Sequence, residues 1–295
     1  MNIVVILAGG TGSRADAPIP KQYVEVGGRP MIAFCLETFF AHEEIHGVQI
    51  VAEEAWRDYI LGYVRQIESG SAALADARQA EEESAVPGKF RGFSEPGENR
   101  QMSIFHALSD IRDYAKETDT VIIHDAARPY VKAAQISRLL ADMEGHEGAI
   151  PVLPMKDTVY MTDGECICGL LDRARVCAGQ APEAFLLGRY YEANRALLPD
   201  RILSVVGSTE PAVLAGMDIR LSEGDEGNIK VTTEKDMADF KIAAEDTVTL
   251  AYEEYRRMKA RIELLEILAG AEEDVAHGKV APIEETFDGL RDLLR

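Results

Sequence analysis

The most constraining feature of this chain is an alternation that runs through its first 240 residues, in which short apolar runs take turns with stretches of helical periodicity. Asn2–Leu7 places five apolar residues in a row, mostly β-branched, before Gly9-Gly10 stops the run, which predicts a buried strand. Met31–Phe40 predicts a helix, Val48–Ala52 a second strand, and Ala55–Ile67 a helix whose Ile60, Tyr63, Val64 and Ile67 share one face. Gly88–Phe93, Thr120–His124 and Ala149–Val152 continue the strands, and Ser103–Tyr114 and Ala133–Glu144 the helices. Strands that are apolar on both faces need cover on both faces. The expected fold is therefore α/β, a mostly parallel sheet with helices on both faces and ligands at the carboxyl ends of the strands.

Three stretches break the rhythm. Ser69–Pro87 is rich in Ala, Ser and Glu and reads as an exposed helix or loop insertion. Thr158–Val176 sets the turn Asp163-Gly164 between two apolar runs, which predicts a projecting β-hairpin arm over about 156–180. From Asp246 onward Val248, Ala251, Tyr255, Met258, Ile262, Leu265 and Leu268 recur at helical steps. The expected organisation is a domain over 1–245 followed by a helical extension over 246–295.

Charge narrows the partners. Against 31 Lys+Arg stand 51 Asp+Glu, a formal net charge of −20, which excludes a general nucleic-acid or anionic-membrane binder. A small anionic ligand needs only a locally positive pocket. The run Ile3–Ala8 is too short to span a bilayer and has no basic stretch before it, so neither a membrane span nor a signal peptide is expected. Cys35, Cys166, Cys168 and Cys177 make neither a disulfide framework nor a zinc ligand set, and the expected location is cytoplasmic.

Three motifs carry chemistry. After the first strand comes Leu7-Ala-Gly-Gly-Thr-Gly-Ser-Arg14, then Pro20-Lys-Gln-Tyr23. Gly9, Gly10 and Gly12 let backbone N–H groups approach a ligand closely, and Arg14 and Lys21 add the cations a triphosphate needs. The spacing matches neither the P-loop nor the dinucleotide fingerprint. After the strand Thr120–Ile123 comes His124-Asp-Ala-Ala-Arg-Pro129, where Asp125 is placed to hold Mg²⁺ against phosphates and Arg128 to hold a second phosphate. The third motif is Asn228-Ile-Lys-Val-Thr-Thr233, in which Lys230 reads as a lysine in an apolar strand facing a charged ligand. Taken singly, each also fits a blander reading: a tight turn, a helix cap with a surface ion pair, an edge-strand lysine.

Together the segments resemble the cytidylyltransferases that make CDP-methylerythritol from methylerythritol 4-phosphate, and their sister enzymes that make CDP-ribitol from ribitol 5-phosphate. The resemblance covers roughly residues 2–244 and also takes in the G-x-x-R-x-x-S of Gly97, Arg100 and Ser103. It implies a Rossmann-like nucleotidyltransferase domain, CTP and a polyol phosphate as substrates, Mg²⁺, and a homodimer completed by the hairpin arm. It implies that Leu7, Ala8, Gly9, Gly10 and Gly12 surround the CTP phosphates, that Gly97, Glu98 and Ser103 read the nucleoside, and that Asp125 and Ala126 lie beside the metal and nucleotide. Arg14, Lys21 and Lys230 take the catalytic charge-neutralising roles, and Arg128, Thr158, Arg173 and Thr209 hold the second substrate. Departures from the family pattern are Glu98 for Asp, Ala181 and Glu183 in T-P-Q-x-F, Glu210 and Pro211 in T-D-D-A, and Tyr160 for a basic residue. All but Glu98 cluster around the second substrate. A CTP-binding protein without turnover is the other class of reading; its tail, similar to the C-terminal segments of bacterial antitoxins, would bind a partner.

Overall fold

The computed structural model describes residues 1–10, 19–76 and 88–244, and beyond them 257, 259 and 261. The chain divides into two compact units, Met1–Met237 and Ala238–Arg295. Residues 234–244 are helical, and apart from three helical positions the amphipathic tail expected from Asp246 lies outside the described residues.

Strand β1 (Asn2–Leu7) leads through a 3-10 turn at Lys21–Tyr23 and a small ribbon of β2 (Glu25–Val26) and β3 (Arg29–Pro30) into helix α1 (Met31–Ala41). Then β4 (Gly47–Val51), α2 (Glu54–Asp76), β5 (Phe90–Ser94), α3 (Arg100–Ile111), β6 (Thr120–Asp125), α4 (Ala133–Asp142) and β7 (Gly148–Pro154) repeat the strand–helix unit. The hairpin of β8 (Val159–Asp163) and β9 (Cys166–Leu171) follows, and the chain returns through β10 (Cys177–Gly179), β11 (Glu183–Leu186), α5 (Leu187–Arg195), α6 (Glu210–Leu214) and β12 (Ile219–Glu223).

The main sheet has eight strands among the described residues. β5, β4, β1 and β6 run parallel, with Val4 of β1 opposite both Val48 and Ile122. β11 then lies antiparallel between β6 and β7, β10 continues along that edge of β7, and β12 pairs parallel with the other edge. Alternate residues of each central strand feed two cores. Val4, Ile6, Ile50 and Ile122 pack with Ile32, Leu36, Phe39, Ile60, Ile136 and Leu139 of α1, α2 and α4. Ile3, Val5, Val121 and Ile123 pack with Ile104, Leu108, Leu187 and Tyr190 of α3 and α5. Each fully buried Val or Ile is worth about 1.5–3 kcal/mol, which is why wholly apolar strands settle between two helical layers.

The expected layering is found, with element ends displaced by a few residues. α2 runs on through Asp76, and 77–87 lie outside the described residues. One expectation is corrected: Ile229-Lys230-Val231 is not a strand. Val231 is buried, but its N–H donates to Ala127 O across a loop rather than to a sheet edge, so apolar neighbours alone misled the reading. The hairpin forms where expected, with Gly164 at φ +72° in its turn, a conformation that favours glycine.

Candidate active site

The site lies where β1, β6 and the start of α3 end together. Beyond β1, Ala8 N donates to Val51 O, and Ala8 O accepts from both Gln22 Nε2 (2.7 Å) and Tyr23 Oη (2.9 Å). Gln22 Nε2 also donates to Gly10 O at 2.7 Å, so one buried amide ties down the glycine loop. A Cβ on Gly9 would stand 2.8 Å from the Pro96 ring, so only glycine lets the loops meet. Gly12 and Arg14 lie outside the described residues.

The opposite wall is the start of α3. Asn99 caps the helix, its side chain accepting from Met102 N at 2.8 Å, and Gly97 N donates to Ser103 Oγ at 2.9 Å. A Cβ on Gly97 would lie 2.7 Å from the Met102 carbonyl carbon and 2.8 Å from Ser103 N, so this turn too requires glycine. The open first turn of a helix presents N–H groups and a positive dipole end to an anion.

Asp125 closes the floor at the carboxyl end of β6. Its Oδ1 accepts from Arg100 Nε (3.1 Å) and Nη2 (2.9 Å), and its Oδ2 pairs with Lys230 Nζ at 2.9 Å. Arg128 Nε stands 3.9 Å away and is buried without a hydrogen-bond partner, while Arg128 Nη1 donates to Asn228 O at 2.7 Å. Burial works to raise the Asp125 pKa, but Arg100 and Lys230 overcome it and hold the carboxyl far below the usual carboxylate range. His124 supports the turn, its Nε2 lying 3.0 Å from Arg128 O.

Asp125, Arg100 and Lys230 line a cleft of about 390 Å³ with the glycine loop and the start of α3, whereas Arg128 and His124 do not line it. Of the residues expected at the site, Leu7, Gly9, Gly10, Lys21, Gly97, Glu98, Ser103, Asp125, Ala126 and Lys230 line it. Ala8 is buried behind it and acts through its carbonyl. Thr158 and Arg173 sit at the hairpin, where Arg173 Nη1 donates to Lys156 O at 2.7 Å, and Thr209 precedes α6; none of the three lines the cleft. The sequence reading missed Gln22, Val51, Glu53, Asn99, Arg100 and Ala127 as lining residues. Gln22 and Arg100 stood inside quoted motifs, so the signal was present, but the pairing of Arg100 with Asp125 is visible only in three dimensions. Among the described residues no group of three His, Cys, Asp or Glu side chains is placed to hold a metal. A single carboxylate still fits Mg²⁺, which keeps several waters and takes most of its oxygens from substrate phosphates. Asp125 fits that mode, provided the cation shares its oxygens with Arg100 and Lys230.

Comparison with known proteins agrees with this geometry. Residues 2–245 match the family model "IspD: 2-C-methyl-D-erythritol 4-phosphate cytidylyltransferase". The chain is 33% identical over 241 residues to the 2-C-methyl-D-erythritol 4-phosphate cytidylyltransferase of Rubrobacter xylanophilus, covering 80% of this chain and 91% of that protein. It is 28% identical over 243 residues to the ribitol-5-phosphate cytidylyltransferase of Vibrio parahaemolyticus, covering 82% and 94%. It spans about half the length of the bifunctional IspD/IspF relatives it also matches. The crystal structure of 4-diphosphocytidyl-2C-methyl-D-erythritol synthase from Anaerococcus prevotii superposes with a TM-score of 0.64 at 20% identity, covering 83% of this chain and 98% of that one, and shows the same fold. With motifs, fold and family match in register, this chain belongs to the IspD cytidylyltransferase family.

Proposed function

We propose that this protein transfers CMP from CTP to an alditol phosphate and releases pyrophosphate, with 2-C-methyl-D-erythritol 4-phosphate as acceptor and CDP-methylerythritol as product. Relatives named for ribitol 5-phosphate favour that compound, or another polyol phosphate or phosphonate, as the alternative acceptor. One observation carries the reading: the glycine loop, Lys21, the open first turn of α3 and the Arg100–Asp125–Lys230 cluster converge on one cleft.

An oxygen of the acceptor phosphate attacks the α-phosphorus of CTP. The new P–O bond forms as the bond between the α-phosphorus and the α,β-bridging oxygen breaks, and that oxygen leaves with the β- and γ-phosphates as pyrophosphate. The attacking phosphate is already ionised at neutral pH, so the site needs no general base; it must bring two polyanions together and offset the charge that builds between them. Gly9, Gly10 and the start of α3 cradle the nucleotide. Arg14 and Lys21 neutralise the α-phosphate, and Lys230 bridges the two substrates. Arg128, Thr158, Arg173 and Thr209 receive the polyol phosphate, the hairpin residues reaching the site of a second copy in a homodimer. Asp125 would hold Mg²⁺ together with the nucleotide phosphates, where the ion would supply further charge neutralisation. A cytoplasmic place of work belongs to the same proposal; no helix among the described residues is long and apolar enough to cross a membrane.

Pyrophosphate release from CTP across a panel of polyol phosphates, with and without Mg²⁺, tests the proposal. Turnover is expected with one acceptor, and Lys21→Ala is expected to lower it by about 10²–10³. Near-normal turnover in that variant would remove Lys21 from the mechanism. CTP binding with no turnover on any acceptor would favour the non-catalytic reading.

A further inference from the structure

Lys230 has no regular element to hold it, yet its Nζ reaches Asp125 Oδ2 at 2.9 Å. The loop that carries it leaves β12 at Gly224 and is anchored beyond Lys230 by Val231 N, which donates to Ala127 O. Between these points the loop is held by Arg128 Nη1 on Asn228 O, by the Lys132–Asp225 ion pair at 2.7 Å, and by one buried amide. Gln180, only 7% exposed, clasps the backbone of Asp225 at two points: its Nε2 donates to Asp225 O at 3.0 Å and its Oε1 accepts from Asp225 N at 2.9 Å. The next residue joins in, Ala181 O accepting from Asn228 Nδ2 at 2.7 Å. The fit is close enough that a Cβ on Gly224 would stand 2.6 Å from Gln180 Oε1 and 2.8 Å from Val152 O.

Building on the cytidylyltransferase reading, we propose that Gln180 is a positioning residue for Lys230, and that through it the return strand of the hairpin sets where the lysine sits. Only an amide makes both bonds: a carboxylate would face the Asp225 carbonyl with a second oxygen, and an apolar side chain would leave the Asp225 N–H of a half-buried loop without its partner and its C=O with Asn228 N alone. Gln180 directly follows β10, the strand by which the chain comes back from β8 and β9, and its own N–H donates to Pro151 O at 2.8 Å. The entry side of the hairpin also touches the loop, through the exposed Lys156–Glu226 ion pair, a weaker link because both partners are solvated. The buried path from the hairpin to the loop of Lys230 therefore runs through Gln180 and its neighbour Ala181, while Arg128 and Lys132 hold the same loop from the β6 side. A shift of about 1 Å in a charge-neutralising group is enough to lower a rate by up to about 10²-fold.

The test compares the full-length parent with Gln180→Leu, Gln180→Glu and Gly224→Ala. The last strains the clasp from the loop side and carries the test if a Gln180 variant fails to fold. Both the kinetics and the acylation of Lys230 by an amine-reactive reagent are measured, the latter by mass spectrometry with exposed Lys116 as internal reference. The expected result is a fall in kcat of about 10- to 100-fold with the KM for CTP essentially unchanged, because the clasp touches none of the nucleotide cradle, and with the melting temperature lowered by no more than a few degrees. Labelling of Lys230 relative to Lys116 is expected to rise several-fold as its pairing with Asp125 loosens. Unchanged kcat and unchanged labelling would overturn the proposal. So would a loss of kcat matched by equal losses in CTP affinity and thermal stability, the signature of a merely structural residue. If the parent turns over no acceptor, the functional reading fails by itself, and the labelling ratio still decides whether Gln180 places Lys230.

Discussion

His124 shows what burial does to a single side chain in this molecule. It sits on β6 with no exposure, its ring edge-on to Phe39 at 5.0 Å and its Nε2 3.0 Å from Arg128 O. A carbonyl only accepts, so Nε2 carries the proton, and Nδ1 is buried without a partner. Burial pushes the pKa down to about 4, outweighing the help that the carbonyl and Asp125 give the charged form. The unfolded chain takes up this proton near pH 6.5, whereas the folded one waits until about 4. The stabilisation is therefore complete above pH 6.5 and drains away between 6.5 and 4, by roughly 3 kcal/mol. Urea unfolding of the parent is expected to show this acid limb, and His124→Gln to flatten it. Parallel curves for the two proteins would mean that His124 is not held neutral.

At the scale of an element, β11 carries a residue that breaks its family pattern. Glu183 opens the strand, and Ser208 Oγ donates to its carboxylate. Burial raises its pKa, a shift that the Ser208 hydroxyl and Arg100 only partly oppose. A carboxyl whose folded pKa is raised costs stability as pH climbs through the ordinary carboxylate range, because the fold must then hold a charge it solvates poorly. Glu183→Gln, which restores the family residue, is expected to melt higher than the parent at pH 8, with the gap closing towards pH 4. A lower melting temperature for the variant at pH 8 would show instead that the carboxylate earns its place through Arg100. The same element illustrates what a local pattern conceals. Glu183–Leu186 is short, and nothing in its spelling says that it runs antiparallel between β6 and β7. Strand direction follows from how the chain returns from the hairpin, not from side-chain periodicity.

For the whole molecule, the hairpin is a part that leaves large apolar side chains uncovered. Ile167 is 65% exposed and Leu170 66%, and β8 and β9 form a two-stranded sheet that pairs with no other strand among the described residues. An isolated two-stranded hairpin is marginal in water, and apolar side chains on it call for a second surface. The homodimer proposed above supplies one. Light scattering is expected to report a dimer for the parent and a shift towards monomer for the double variant Ile167→Ser, Leu170→Ser, with the melting of the α/β unit little changed. A parent that stays monomeric at micromolar concentration would defeat the dimer reading.

The sequence by itself determined the strand–helix alternation, the two covered faces of the sheet, the hairpin and the glycine loop. These are local matters: side-chain periodicity reports which faces are buried, and glycine reports where backbone passes too close for a Cβ, as at Gly9 against Pro96. Motif order also made most of the cleft lining legible, from Leu7 to Lys230. Only the tertiary structure decided how those groups are paired. Arg100 and Asp125 are 25 residues apart, and Lys230 comes from a loop that local apolarity had disguised as a strand. Their meeting depends on strand order and on side chains such as Gln22 and Gln180 that brace loops from a distance. No run of neighbouring residues encodes that, because an ion pair or an amide clasp is chosen by the elements that converge in space. The net charge of −20 shows the same division: composition predicted an acidic surface, and folding gathered Lys21, Arg100 and Lys230 into the cleft proposed to receive polyanions.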